Sequence, residues 1–227
     1  MKYNFLLFDS DDTLLDFRAA ENRALERLME HINSPCPERD ISLYREINAR
    51  WWKRVESGDA TRSELSVGRL REFSELSGLS FDPLELSEYY LERLGEGSQL
   101  IDGALEVCRL LREKGAHMYV ITNGIKSVQS PRWRNTPLAP LFDGVFISEA
   151  IGHSKPSREF FDHVLSAIGE PPKSDILIIG DSLSSDIKGG ADCGIDTCWI
   201  NPSHADCGEH KPTYTLDSIS RLPQILL

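Results

Sequence analysis

Phe5-Leu6-Leu7-Phe8-Asp9-Ser10-Asp11-Asp12-Thr13 is an apolar run that ends in acid. Four consecutive apolar residues bounded by turn formers predict a short strand buried on both faces. At the carboxyl end of such a strand, side chains open into the crevice where open α/β sheets bind ligands. Asp9 and Asp11, one residue apart, could there share a divalent, oxygen-seeking cation. They could also divide labour, one as nucleophile and one as general acid/base. The plainer alternative is a polar turn, because Asp is common in turns.

Outward from this stretch the same punctuation recurs. Met118–Ile121 runs into Thr122-Asn123-Gly124, where a hydroxyl and the backbone N–H groups freed by Gly124 could face an anion, or where the hydroxyl could merely cap a helix. Val145–Ile147 is followed by Ser154-Lys155-Pro156, whose lysine could reach a phosphate as a point charge or simply be solvated. Ile176–Ile179 runs into Gly180-Asp181-Ser182, with Asp186 about one helical turn further on. Thr197–Ile200 is a weaker fifth strand. Helical patterns at Ala104–Lys114 and Arg158–Ile168 stop at Gly115 and Gly169. Alternation of strands and helices from residue 99 onward predicts an α/β fold with a doubly wound parallel sheet.

Residues 17–97 lack a convincing strand. Helices are expected around Arg18–Ile32, Ile41–Glu56, Arg62–Leu76 and Pro83–Leu94, with Thr61 and Glu64 as a capping box. The expected organisation is a core of 1–16 and 98–227 and an inserted helical domain of 17–97.

Composition narrows the partners. A net charge of −11 over 227 residues argues against a nucleic-acid polymer, whose phosphates demand a basic surface. It leaves room for a small anion beside a bound cation and a few lysines. No stretch reaches the ~18 apolar residues of a membrane span, and Phe5–Phe8 falls short of the roughly 7–15 residues of a signal h-region. The cytoplasm is the expected location. Five widely spaced cysteines, an odd number, read as free thiols. A monomer or homodimer is expected.

The ordered set of strand-end motifs resembles the haloacid dehalogenase-like superfamily of phosphotransferases, along essentially the whole chain. Asp9/Asp11/Thr13, Thr122, Lys155 and Asp181/Asp186 match its four motifs, and the helical insertion is similar to its type 1 cap. Ile121-Thr122-Asn123-Gly124, Ile147-Ser148-Glu149 before Gly152, Lys155-Pro156, Thr197-Cys198-Trp199-Ile200-Asn201 and the Trp51–Gly58 stretch resemble the pyrimidine 5′-nucleotidase branch. The resemblance implies a Mg²⁺-dependent phosphatase acting on nucleoside 5′-monophosphates. Asp9 would become a phospho-aspartate, and Asp11 would protonate the leaving alkoxide and then deprotonate water. Thr122 and Lys155 would hold the phosphoryl oxygens, with Ser10, Asn123 and Gly124 beside them on the substrate. Mg²⁺ would be bound by Asp9, the Asp11 main-chain carbonyl and Asp181, with Asp186 orienting water or Lys155.

Asp12 stands where the superfamily often has Gly, and its side chain is expected to point away from the metal. Pro131 interrupts an expected helix, so Ser130-Pro131 is read as a helix restart; Arg132-Trp133-Arg134 beside it could line a pocket, with surface and one packed tryptophan as the default. Trp51 could stack on a base, though core packing is the default for it and for Trp52. Asn48, Arg54 and Arg62 are candidate substrate contacts. His204, Cys207 and His210 have metal-like spacing without a fourth ligand. Cys193 and Cys198 read as small buried residues. The alternatives are a sugar-phosphate phosphatase, a phosphomutase, or a non-catalytic ligand-binding regulator. A dehalogenase would need neither Asp11 nor Asp181, and a phosphonate hydrolase would need a cap lysine that only Lys53 could supply.

Overall fold

Runs of branched apolar residues set the strands. In the computed structural model, which describes residues 1–227 apart from the side chain of Glu56, six strands form one sheet. They are β1 (Phe5–Phe8), β2 (His117–Thr122), β3 (Gly144–Ile147), β4 (Ile176–Gly180), β5 (Asp196–Ile200) and β6 (Tyr214–Leu216). Their order is β3-β2-β1-β4-β5-β6, and every pairing is parallel. The chain winds outward in one direction through β2 and β3 and in the other through β4 to β6. The order therefore reverses between β1 and β4, where such sheets open a crevice.

The chain divides into two compact units, Met1–Phe17 with Ser98–Leu227, and Arg18–Gly97. The second unit is built from α1 (Phe17–His31), α2 (Pro37–Glu56), α3 (Arg62–Ser77) and α4 (Pro83–Gly95), the first residue of α1 belonging to the other unit. Local signals fix these ends. Pro37 and Pro83 occupy the first turn, where a missing N–H costs nothing. Thr61 and Glu64 form the capping box, and Gly78 closes α3 at φ 75°. Leu25, Leu28, Tyr44, Ile47, Leu65, Leu70, Phe73, Leu86 and Tyr90 are buried. α2 starts at Pro37, earlier than the expected Ile41, because apolar periodicity sets in only after the first turn.

In the other unit, α5 (Ala104–Glu113), α6 (Lys126–Asn135), α7 (Ser148–Ile151), α8 (Arg158–Ala167), α9 (Lys188–Asp192) and α10 (Pro223–Leu226) accompany the sheet. The strand period of two sorts side chains between its faces. Leu6, Phe8, Met118, Val120, Leu177 and Ile179 join the core that holds Val107, Cys108, Leu111 and Trp133. Leu7, Ile121, Ile176 and Ile178 join the core that holds Phe160, Phe161 and Val164. Burial on both faces is why the strands read as continuous apolar runs.

Two expectations are corrected. β6 was not anticipated: Tyr-Thr-Leu is too short to stand out, and it is a strand only because β5 offers an edge. The helix after Thr122 does not restart at Pro131. α6 runs from Lys126 to Asn135 with Pro131 inside it, at the loss of one backbone hydrogen bond.

Candidate active site

Sheet register brings the motifs together. Phe8, the last residue of β1, lies opposite Val120 of β2 and Ile179 of β4, so the three chains leave the sheet within a residue or two of one another. Asp9 is fastened there by its own N–H to Ile179 O at 2.8 Å. A carboxylate oxygen each from Asp9, Asp181 and Asp186 gathers within 4.8 Å of the others.

Lys155 enters this group from the segment before α8. Its ammonium donates to Asp9 Oδ1 at 2.6 Å, Asp186 Oδ1 at 2.6 Å and Ile121 O at 2.8 Å, which uses all three of its protons. Lys155 is itself held by Asn123, whose Nδ2 donates to Lys155 O at 2.8 Å while its Oδ1 accepts from Lys155 N at 2.9 Å. Asp186 is fixed from its other oxygen by Ser182 N–H at 3.2 Å. A side chain on Gly180 would overlap the Asp186 carboxylate, so glycine there makes room for an acid rather than only easing a turn.

Burial and charge oppose each other in this cluster. Burial pushes Asp9 well above the usual carboxylate range, and Asp186, Asp181 and Asp11 add to the push against the pull of Lys155. Asp181 is pushed up to about 7 by burial, then by Asp186 and Asp12. Burial works against the charged form of Lys155, but Asp186 and Asp9 outweigh it and hold the ammonium above the ordinary lysine value. Three carboxylates against one ammonium leave an excess of negative charge. The donors are all hard oxygens. Such a set suits a small divalent cation that prefers oxygen, and bringing one in would relieve the repulsion.

The Asp11 carboxylate lies outside the three-carboxylate group. Arg132 pairs with its Oδ1, and Gln129 Nε2 donates to its Oδ2 at 2.6 Å. Asp12 sits at φ 55°, a region open to glycine and tolerated by Asp, and its Oδ1 accepts from Phe17 N at 3.1 Å. Its carboxylate is thus tied to the backbone, yet it still adds negative charge at Asp181. Thr13 is buried in the turn that Leu14 N and Leu15 N close onto Ser10 O, and its hydroxyl has no hydrogen-bond partner among the described residues. Thr122 Oγ1 accepts from Gly124 N at 3.0 Å.

Other candidates lie elsewhere. The side chain of Ser10 is fully buried and engages Gln129 and Trp133. Trp51 donates from Nε1 to Glu72 at 2.8 Å, carries Arg54 over its ring at 4.2 Å and fits against Gly68, all within the helical unit. In that unit Asn48 Oδ1 accepts from the buried Arg69 at 2.8 Å. Among the described residues, His204, Cys207 and His210 do not converge into a metal-holding group. Cys193 and Cys198 are buried, and all five cysteines are free.

Gln129 is not among the residues the sequence suggests, and Arg132-Trp133-Arg134 is read there as surface with one packed tryptophan in preference to pocket lining. Arg132 is instead fully buried. The available signal was spacing: positions 129, 132 and 133 share one helix face once α6 is read through Pro131.

The site thus sets a strand-end aspartate beside a clamped lysine and a cluster of three carboxylates. The chain belongs to the haloacid dehalogenase-like hydrolase family, whose model matches residues 3–194. It is 40% identical over 226 residues to the HAD-hydrolase YfnB of Bacillus subtilis (strain 168), covering 99% of this chain and 96% of that protein. A crystal structure of YfnB bound to magnesium, described as revealing interdomain movement, matches 100% of this chain and 99% of its own at a TM-score of 0.91 and 39% identity. The pyrimidine 5′-nucleotidases YjjG of Escherichia coli (strain K12) and PynA of Streptococcus pneumoniae (strain ATCC BAA-255 / R6) are 32% and 36% identical. YjjG is matched over 100% of this chain and 99% of its own, PynA over 98% and 94%. The chain is thus an enzyme of the hydrolase class. No helix among the described residues is long and apolar enough to cross a membrane.

Proposed function

We propose that the chain is a Mg²⁺-dependent phosphatase that hydrolyses nucleoside 5′-monophosphates, pyrimidine ones foremost, through a phospho-aspartate on Asp9. The observation that carries this reading is the convergence of Asp9, Asp181, Asp186 and Lys155 at one end of the sheet, with Asp11 beside them. The names of YjjG and PynA support the substrate class, and the magnesium-bound YfnB supports the metal. Free thiols agree with a reducing compartment such as the cytoplasm.

In the first half-reaction a carboxylate oxygen of Asp9 attacks phosphorus and the ester P–O bond breaks. The leaving oxygen takes the bond's electron pair and a proton from Asp11. In the second, water attacks phosphorus and gives a proton to Asp11. The phosphorus–Asp9 bond then breaks, releasing phosphate and restoring the carboxylate. Asp9, Asp181 and the Asp11 main-chain carbonyl would hold Mg²⁺, with Asp186 beside them, and the bound cation would supply positive charge against the phosphoryl oxygens. Lys155 keeps Asp9 oriented and offers a fixed charge to the same oxygens. The Thr122 hydroxyl, which accepts from Gly124 N, would donate its own proton to them, with Asn123 and Gly124 beside it on the substrate.

The test is phosphate release from a panel of pyrimidine and purine 5′-monophosphates and sugar phosphates, with Mg²⁺ and with chelator. Turnover of the pyrimidine nucleotides that stops on chelation is expected. A preference for sugar phosphates would transfer the chain to that class, and silence across the whole panel would end the phosphatase reading.

A further inference from the structure

We propose that Gln129 and Arg132 of α6 are positioning residues that hold the Asp11 carboxylate in its working orientation. The proposal rests on the reading of Asp11 as the proton donor to the leaving group.

Hydrogen-bond polarity fixes the arrangement. Trp133 Nε1 can only donate, and it donates to Ser10 Oγ at 2.9 Å. The Ser10 hydroxyl proton therefore goes onward, to Gln129 Oε1 at 3.2 Å. With its oxygen committed, the Gln129 amide must present Nε2, which donates to Asp11 Oδ2 at 2.6 Å. Arg132, also donor-only, pairs with Asp11 Oδ1. Both Asp11 oxygens are thus met by donors whose direction is set from the core. None of the three α6 side chains is loose. Gln129 and Arg132 are almost wholly buried, Trp133 packs edge-on to Phe142 at 5.2 Å, and Arg132 lies 5.7 Å from the Phe17 ring.

Two sequence features acquire a reason here. Gly124 has no side chain because a Cβ would overlap Gln129. Ser10, between the two catalytic acids, is small and hydroxylated because it passes the hydrogen bond from Trp133 to Gln129. A buried arginine is costly unless paired, and the carboxylate that Arg132 meets is half of the site's acid/base chemistry.

Proton transfer by Asp11 matters in proportion to how poor the leaving group is. An alkoxide from a nucleotide needs the proton, whereas nitrophenolate leaves without it. The experiment is rapid quench of the first turnover for wild type, Asp11→Asn, Arg132→Met, Arg132→Lys and Gln129→Met, on a nucleoside 5′-monophosphate and on p-nitrophenyl phosphate. General acid catalysis is worth about 10²–10⁴-fold, so the Met variants are expected to lose roughly 10- to 100-fold in alcohol release. Nitrophenolate release stays within about threefold of wild type, which also reports an intact fold. Arg132→Lys, which keeps a charge, is expected to recover part of the loss. Equal losses on both esters, or no loss on either, would overturn the positioning role. If Asp11→Asn itself shows no dependence on the leaving group, the underlying assignment of Asp11 fails first, and that outcome is distinct from failure of α6 alone.

Discussion

At the residue scale, the proposed reaction turns on one buried carboxylate acting as nucleophile. Asp9 is held by Lys155 and by Ile179 O through its backbone, so its replacement by the isosteric amide removes the nucleophile while leaving the packing intact. Asp9→Asn is expected to lower turnover by about four orders of magnitude or more. Acid-quenched enzyme should then carry no acyl phosphate, and nucleotide affinity by calorimetry should stay within about tenfold of wild type. Retained phosphate release by this variant would remove Asp9 from its role.

At the scale of elements, the acid cluster depends on how closely α9 can approach the sheet. Gly189 lies against Phe161 and Pro156, and Gly190 against Thr197 and Ile178. The π-type turn Leu183–Ile187, which carries Asp186, leads directly into this helix. Alanine is ordinarily the better helix former by about 1 kcal/mol. At position 190 the added methyl would overlap Thr197 Cγ2, which is β-branched, buried and unable to move aside. Overpacking of that kind costs about 1–3 kcal/mol. Gly190→Ala is therefore expected to destabilise in urea unfolding, and adding Thr197→Ala should return part of the loss. A stabilised Gly190→Ala would show that the helix can shift outward freely.

For the whole molecule, the excess negative charge makes stability, pH and metal interdependent. Asp181, at about 7 in the folded metal-free protein against an ordinary value of 3.8, binds a proton more tightly folded than unfolded. Its contribution to stability is thus greatest at low pH and falls as pH rises from about 4 to about 7. Binding of Mg²⁺ requires the ionised form, so below pH 7 the apparent affinity is expected to weaken by up to about tenfold per pH unit. Thermal melts in chelator and in Mg²⁺ across pH 5 to 8 should therefore diverge as pH rises, with the metal raising Tm most at the alkaline end. Parallel curves would mean that the cluster holds no cation.

The sequence by itself determined β1 to β5, the four helices of the second unit, α5 and α8, and the order of the acidic strand ends. Those depend on local matters: runs of branched apolar residues, glycine stops, and caps such as Thr61 with Glu64. Asp9, Thr122, Lys155 and Asp181 were visible because each follows an apolar run or precedes a helix. What only the tertiary structure decided are the pairings across long separations. Lys155 meets Asp186 as well as Asp9, Gly180 makes room for Asp186, and β6 exists by virtue of β5. Gln129 and Arg132 reach Asp11 from well over a hundred residues away. A buried arginine looks like a surface arginine in one dimension, since burial and partner choice are set by the packing of α6 on the β1 turn, not by its neighbours in the chain.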